Sequence, residues 1–191
     1  MKPEKPILKL NNWLLPVLVS ILILMQIFIP YKGWMALLVG LGGLWLISAC
    51  WAYLLRKKLS FTREMRFGWA QVGDRLIERF SLINDAPLPA LWVEVQDLST
   101  LPGYQASRGT GVASRSSIRW HRESLCSRRG LFYLGPTEVR TGDPFGIYTV
   151  TLHFPASLPL LVLPPIVPLP TIEVAPGGRS GEGRPRANAQ D

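Results

Sequence analysis

Cysteine and histidine are scarce in this 191-residue sequence, which contains two of each. Cys50 lies in an apolar run and Cys126 lies in the polar part, so no disulfide framework is available, as is usual in a reducing compartment. His121, His153 and Cys126 are too few for the convergent ligands that a metal or nucleophile site requires. We therefore expect no metal and no cofactor.

Nucleotide and phosphate motifs are also missing. The glycines at 109–111 and 177–183 lack the Lys-Ser/Thr pair and the strand-to-helix context of a phosphate-binding loop. The segment Asp143-Pro144-Phe145-Gly146 differs from the kinase Asp-Phe-Gly motif by its inserted proline, and no other kinase motif accompanies it. The sequence predicts no catalytic residues, and we expect that the chain is not an enzyme.

Charge is absent from two long runs near the N-terminus, residues 13–29 and 34–55. Their 17 and 22 residues fall in the range of about 17 to 25 that a helix needs to cross a bilayer. The link at 30–33 contains proline and glycine and is too short to cross a membrane itself. The sequence therefore predicts a transmembrane α-helical hairpin over residues 13–55, with two antiparallel spans in the lipid bilayer.

Basic residues flank this hairpin unevenly. Three lysines precede it within residues 1–12, three basic residues follow it at 56–58, and the link holds only Lys32. The positive-inside rule then places a basic N-terminus, 1–12, and the C-terminal part in the cytoplasm, as a multi-pass protein of the cell membrane. A cleaved signal peptide is disfavoured because Ile29-Pro30-Tyr31 offers no small-residue cleavage site. The lipidation-like segment 47–50 continues into apolar residues, which favours a buried helix cysteine.

The formal charge of +8 does not mark a nucleic-acid-binding surface. Between residues 59 and 175 there are 11 arginines and 10 acidic residues, a difference of +1. The remaining positive charge lies in the membrane flanks, the link and the tail, where it can meet anionic lipid. We expect no nucleic-acid partner.

Residues 59–175 alternate apolar and polar side chains at strand spacing. Predicted strands are 59–67, where Arg63 interrupts the apolar face, then 75–83, 91–95, 116–124, 130–134 and 138–141. A helix at 75–83 stays possible on periodicity, and 99–113 is a predicted loop. These segments favour an all-β soluble domain, an antiparallel β-sandwich of about seven strands in two sheets.

Prolines dominate the segment 155–170, which holds six of them. They exclude a helix and a long central strand, so we expect an edge strand at 160–163 and otherwise extended polyproline-like backbone. Residues 176–191 are rich in glycine and arginine and low in apolar residues. They are predicted to be a disordered linker or tail.

The segment 128–148 has the composition of a tight corner. Asp143, Pro144, Phe145 and Gly146 suit a type I turn, with Phe145 expected to fill a gap at the sandwich edge. The succession Arg-Arg-Gly, Leu-Gly-Pro and Gly-Asp-Pro-Phe-Gly resembles the segment before the conserved domain of the bacterial and archaeal domain-of-unknown-function family 58. Members of that family have a similar layout of two N-terminal spans, a β-rich region and a proline-rich strand.

The resemblance implies more than this chain contains. In that family the namesake domain, with its von Willebrand A-like portion, follows the linker, whereas this sequence stops at Asp191. We therefore expect a truncated reading frame or fragment. The family's genomic neighbourhood implies a MoxR-type AAA+ ATPase as a protein partner.

A basic run of arginines is interleaved with aromatic residues, and it is a possible partner surface: Arg119, Arg122, Arg128 and Arg129. Glu123 lies inside the run, which favours an ordinary solvated sheet face over an acidic partner or RNA. Two functions remain. One is a membrane-anchored, non-catalytic scaffold or interaction module presenting a cytoplasmic β-domain, and the other is an envelope-associated enzyme or lipid-binding module with an undetected site.

Overall fold

The computed structural model describes residues 3–65 and 67–166. Two helices near the N-terminus are followed by a mostly β domain whose sheets are largely antiparallel. The predicted order, a helical hairpin and then a β-rich domain, is confirmed at this level. The end of the proline-rich segment, from 167 to 170, and the tail 176–191 lie outside the described residues.

The hairpin consists of α1, Leu14–Phe28, and α2, Lys32–Lys58, which pack against each other. Of the helices described, α2 is long and apolar enough to cross a membrane, while α1 is apolar but has only 15 residues. Pro30 ends α1 early because the residue before a proline avoids helical backbone. The second helix extends beyond the predicted 34–55 at both ends. It begins at Lys32, and its basic last turn continues the helix up to Lys58.

Eleven strands occur in the described ranges, and they form three hydrogen-bonded sheets. The bounds are β1 Glu4–Leu10, β2 Leu59–Met65, β3 Trp69–Gln71, β4 Arg75–Asn84, β5 Ala90–Asp97, β6 Arg108–Val112, β7 Ser116–Leu125, β8 Gly130–Leu134, β9 Thr137–Gly142, β10 Tyr148–Phe154 and β11 Leu158–Leu163. The five-stranded sheet has the order β1-β10-β9-β5-β6, and the two three-stranded sheets have the orders β2-β4-β7 and β3-β11-β8. The predicted seven strands in two sheets were too few.

The five-stranded sheet and the β2-β4-β7 sheet face each other across one core. Phe61 of β2 lies against Phe154 of β10, with ring centroids 5.5 Å apart. Phe61 also contacts Phe80 and Trp120 on its own sheet, at 6.0 and 6.2 Å. Aromatic rings supply much apolar area per residue, so this cluster is a main source of the hydrophobic stabilisation between the sheets.

Alternation in β4 settles the question of helix or strand at 75–83. Every second side chain from Leu76 to Asn84 is buried, and the ones between are exposed or half-buried. The strand pairs with β2 on one side and with β7 on the other. A helix would not produce this period of two, so the strand prediction is confirmed.

Several strands were not predicted from the sequence, or were predicted in a different place in the sheet. The predicted loop 99–113 contains β6, and β10 was not predicted. The expected edge strand at 160–163 is β11, which lies centrally between β3 and β8. Pro159 is tolerated there because pairing with β3 begins only at Leu161, beyond the residue that lacks an N–H.

The N-terminal segment is part of the β-domain. Residues of β1 pair with β10 in antiparallel register, from Leu10 opposite Tyr148 to Ile7 opposite Thr151. The segment 1–12, predicted only as a basic N-terminus, therefore supplies an edge strand to the five-stranded sheet. Since β1 leads into α1 and α2 leads into β2, both ends of the hairpin start from the same domain.

The second half of α2 is anchored in the domain core. Ala52 and Leu55 are fully buried there. The Trp51 indole donates a hydrogen bond to the Pro89 carbonyl at 3.1 Å, and the Trp45 indole donates to the Tyr148 hydroxyl at 2.8 Å. The hairpin is therefore fixed to the β-domain by side-chain packing as well as by the chain connection.

Candidate functional site

The outer face of the β2-β4-β7 sheet forms a concave surface with a volume of about 750 Å³. Strand alternation directs one set of side chains to this face from all three strands. Hydroxyl groups come from Thr62 and Ser81, and apolar side chains come from Ile77 and Ile83. The opposite face of the sheet belongs to the core, so this surface is the part of the sheet that a ligand or partner can reach.

Positive charge predominates on this concave face. Arg79 lies directly opposite His121, and Arg119 lies opposite Ser81, so the three side chains are cross-strand or diagonal neighbours. All three are exposed. Glu64, opposite Arg79 on β2, lines the same surface, and Glu123, opposite Ile77, lies on the same face of the sheet in a salt bridge with Arg75. None of the three forms a salt bridge with another residue in the described ranges. Such a surface can attract a carboxylate-rich or other anionic partner.

The structure divides the four predicted partner-surface arginines. Arg119 lies on the concave face, but Arg122 has the opposite strand parity and so points away from it. Arg128 and Arg129 are exposed beyond the end of β7. Arg119 is six strand positions, or about 20 Å, from Leu125 at the end of β7, so the four do not form one patch.

Arg79 belongs to this surface but was not among the predicted partner-surface residues. Its position in β4, between the inward residues Glu78 and Phe80, was available as a signal. Only the pairing of β4 with β7, however, places Arg79 beside His121 and near Arg119.

The segment from Asp143 to Gly146 forms the predicted turn, between β9 and β10. The Gly146 N–H donates to the Asp143 carbonyl at 3.3 Å, and Gly146 has a φ of +70°, which favours glycine. The Asp143 carboxylate is buried and accepts hydrogen bonds from the Phe145 N–H at 2.9 Å and the Tyr148 N–H at 2.5 Å. The carboxylate therefore holds the turn in shape.

The expectation that Phe145 fills a gap in the sandwich is wrong. Its side chain is 56% exposed at the tip of the turn. The hydrogen bonds of Asp143 fix the backbone without any help from the ring, and Pro144 beside it is also exposed.

A buried ionic cluster lies on the inner face of the same β2-β4-β7 sheet. The Arg63 guanidinium donates to both carboxylate oxygens of Glu78 at 2.9 Å and to Asp97 at 2.8 Å. Its Nη2 also donates to the Ser99 and Tyr104 hydroxyls at 3.1 and 3.3 Å, and the Tyr104 hydroxyl donates to Glu78. Because Asp97 belongs to β5, the cluster joins the two main sheets.

The geometry of this cluster suits a structural role. The side chains of Arg63, Glu78 and Asp97 are 3%, 0% and 3% exposed, and they form hydrogen bonds with each other and with the Ser99 and Tyr104 hydroxyls. Pairing and hydrogen bonding of this kind lower the cost of burying the charges. The interruption of the apolar pattern at Arg63, visible in the sequence, was the signal for it.

The remaining candidate groups are dispersed. In the described ranges, no three His, Cys, Asp or Glu residues are placed to hold a metal ion. His121 lies on β7 and His153 on β10, in different sheets. Burial, and to a smaller degree the nearby Asp74 carboxylate, raise the pKa of the Cys126 thiol, so its reactive thiolate is disfavoured.

No protein-family model and no curated protein matches this sequence. The resemblance to domain-of-unknown-function family 58 therefore stays a prediction.

Solved structures show distant similarity. The CARDB domain of the PF1109 protein from Pyrococcus furiosus, solved with di-metal ions, has 7% identity and a TM-score of 0.39, and the match covers 56% of this chain and 96% of that one. The alkylpurine DNA glycosylase AlkC of Pseudomonas fluorescens has 14% identity and a TM-score of 0.38, with 78% and 42% covered. A Niemann-Pick type C2 protein from the Japanese carpenter ant has 5% identity and a TM-score of 0.30, with 54% and 89% covered. At such scores and identities these similarities indicate neither a function nor a ligand for this chain.

Proposed function

We propose that this chain is a membrane-anchored, non-catalytic interaction module. In this proposal the hairpin of α1 and α2 lies in the cell membrane, with both ends on the cytoplasmic side. The β-domain then presents its concave basic face to a protein partner.

One observation carries the membrane part of the proposal. Both helices expose large apolar side chains along the portion that projects from the domain: Ile23, Leu24, Ile27, Phe28, Met35, Leu37 and Val39. An exposed apolar surface of this extent is costly in water and marks a protein or lipid contact. No charged residue interrupts it between Leu14 and Ile29 or between Gly33 and Leu55, which favours lipid over a protein groove.

Charge supports the orientation. The end of the hairpin that joins the domain carries Arg56, Lys57 and Lys58, whereas the distal link carries Lys32 alone. Basic flanks of a span prefer the cytoplasmic side.

Membrane insertion is tested by alkaline carbonate extraction of cell membranes. We expect the full chain to stay in the pellet and the double variant Leu24→Arg/Val39→Arg to move to the supernatant, because each arginine would face hydrocarbon. The matched control is Ile77→Arg, an exposed apolar residue of the concave face, which should leave the chain in the pellet. Extraction of the unmodified chain by carbonate would overturn the proposal.

Orientation is tested with single cysteines and a membrane-impermeant thiol reagent in whole cells, in a Cys50→Ser background. Lys32→Cys should react and Arg128→Cys should not, because the link would lie outside and the β-domain inside. The reverse result would invert the topology.

The partner part rests on the concave face with Arg79, Arg119 and His121. We propose that its occupant is an acidic protein surface, and the resemblance described above makes a MoxR-type AAA+ ATPase the first candidate. Binding of the purified ATPase from the same organism to the full chain in detergent is the assay. Arg79→Glu/Arg119→Glu should abolish binding, and Arg128→Glu/Arg129→Glu should keep it. Equal effects of the two double variants, or no binding at all, would contradict this docking.

A further inference from the structure

The part of the hairpin that projects free of the β-domain is shorter than the membrane that the proposed function requires the hairpin to cross. The 15 residues of α1 measure about 22 Å at 1.5 Å per residue. In α2, the length from Lys32 to Trp45, where the indole meets Tyr148 of the domain, is about 20 Å. A bilayer has a hydrocarbon core of about 30 Å. Something other than the free part of the hairpin must account for the remaining third.

The missing length of the membrane span does not lie at the distal tip of the hairpin. Tyr31 and Trp34 pack edge to face there, with ring centroids 6.2 Å apart, beside the exposed Lys32. Aromatic rings of this kind prefer the headgroup layer, and a lysine is costly in hydrocarbon. The tip therefore belongs at the far interface, and the missing length lies on the side of the β-domain.

The turn between β9 and β10 lies at that side. The Asn11 N–H donates to the Ile147 carbonyl at 2.8 Å, and the Asn11 amide donates to the Thr149 hydroxyl at 2.6 Å. These bonds hold the β10 end of the turn beside Asn11, which lies close in sequence to Trp13, the residue before α1. The tip of the turn and the start of α1 thus leave the five-stranded sheet at the same end.

The surface at this end is apolar at its tip and basic at its margin. Phe145 and Trp13 are 56% and 71% exposed, and Pro144 is exposed beside them. The one charged group of the turn, Asp143, is buried with both carboxylate oxygens hydrogen-bonded to backbone N–H groups. Lys9, exposed on β1 opposite Thr149, can meet anionic headgroups.

We propose that the β9–β10 turn enters the near leaflet of the bilayer, with Phe145 and Trp13 both on the hydrocarbon side of the headgroup layer. The β-domain then sits partly in the membrane surface and completes the span that the two helices begin. This inference rests on the proposed membrane insertion. Its partner is the lipid bilayer itself, because the exposed apolar side chains of the turn lie at the end of the sheet from which α1 leaves, and the one charged group of the turn is buried.

Nitroxide labels test this in the full chain, reconstituted into vesicles of phosphatidylcholine and phosphatidylglycerol. Single cysteines replace Phe145, Val39 and Leu125 in a Cys50→Ser background, while the buried Cys126, its pKa raised by burial, is left in place. Val39 is 66% exposed in the middle of the free part of α2. Leu125 is 55% exposed at the end of β7, opposite Arg75 and remote from the junction of α2 with β2.

The readout is the accessibility of each label to apolar oxygen and to a water-soluble nickel chelate. Labels at 39 and 145 should favour oxygen, and the label at 125 should favour nickel. If 39 favours oxygen but 145 favours nickel, the bilayer thins around a short hairpin, and the inference fails while the proposed function stands. If 39 favours nickel, both fail. An oxygen preference at 125 would mean that the whole domain lies on the membrane, which overturns the specific role of the turn.

Discussion

The two faces of the β2-β4-β7 sheet carry arginines in opposite environments. On the inner face, Arg63 is 3% exposed and forms ion pairs with Glu78 and Asp97. On the outer face, Arg79 and Arg119 are exposed on a concave surface. Phe80 lies opposite Arg63 on the inner face, and Arg79 is its neighbour in sequence. Because successive strand residues point to opposite faces, one position along β4 separates the buried environment from the exposed one. Strand parity, and not residue type, therefore separates a structural charge from one available for binding.

The largest expected effect is that of Arg63→Ala. The change leaves two buried carboxylates without their cation, which should lower the free energy of unfolding by about 3 to 5 kcal/mol. Chemical denaturation of the full chain in detergent measures the loss. The replacement Arg79→Ala is the matched control, and a loss no greater than that of the control would contradict the structural role of the cluster.

Removing Asp97 should cost less, because Arg63 keeps its two hydrogen bonds to Glu78. We expect Asp97→Ala to lower the free energy of unfolding by about 2 to 3 kcal/mol through loss of one charged hydrogen bond. Asp97→Asn keeps an acceptor oxygen and should lose less in the same denaturation. Equal losses for the two variants would show that packing, and not pairing across the sheets, decides stability here.

A smaller effect is expected for Tyr104→Phe. The hydroxyl is hydrogen-bonded to both Glu78 and Arg63, and its loss should cost about 1 to 2 kcal/mol while the ring keeps its place. The control is Tyr133→Phe, whose ring is exposed and which should be unchanged within error. If Tyr104→Phe also leaves the free energy of unfolding unchanged, the hydroxyl is not part of the inner cluster in solution.

The smallest effect on stability is expected on the outer face. Arg79→Ala should change the free energy of unfolding by no more than about 0.5 kcal/mol, since an exposed side chain without a salt bridge contributes little. The same variant should weaken binding of the acidic partner in the assay described above. A large destabilisation by Arg79→Ala would contradict the inference that only the inner-face arginine contributes to stability.

Local pattern predicted much of this architecture. The charge-free runs at 13–29 and 34–55 indicated two helices, alternation indicated most of the strands, and Asp143 with Gly146 indicated a turn. Each of these signals depends on neighbours a few residues away, through backbone preferences and side-chain period. Arg63 was visible as a break in an apolar face, but its partners were not, because Asp97 comes from another sheet.

The sequence by itself therefore determined the order of hairpin and β-domain and the alternation of each long strand. Tertiary structure alone decided that β1 completes the sheet of a domain starting about 50 residues later, that Phe145 is exposed, and that Arg79 lies with Arg119 and His121. These outcomes depend on which strands pair and which face turns inward. Such choices come from the burial of the whole apolar surface at once, and no short stretch of sequence encodes them.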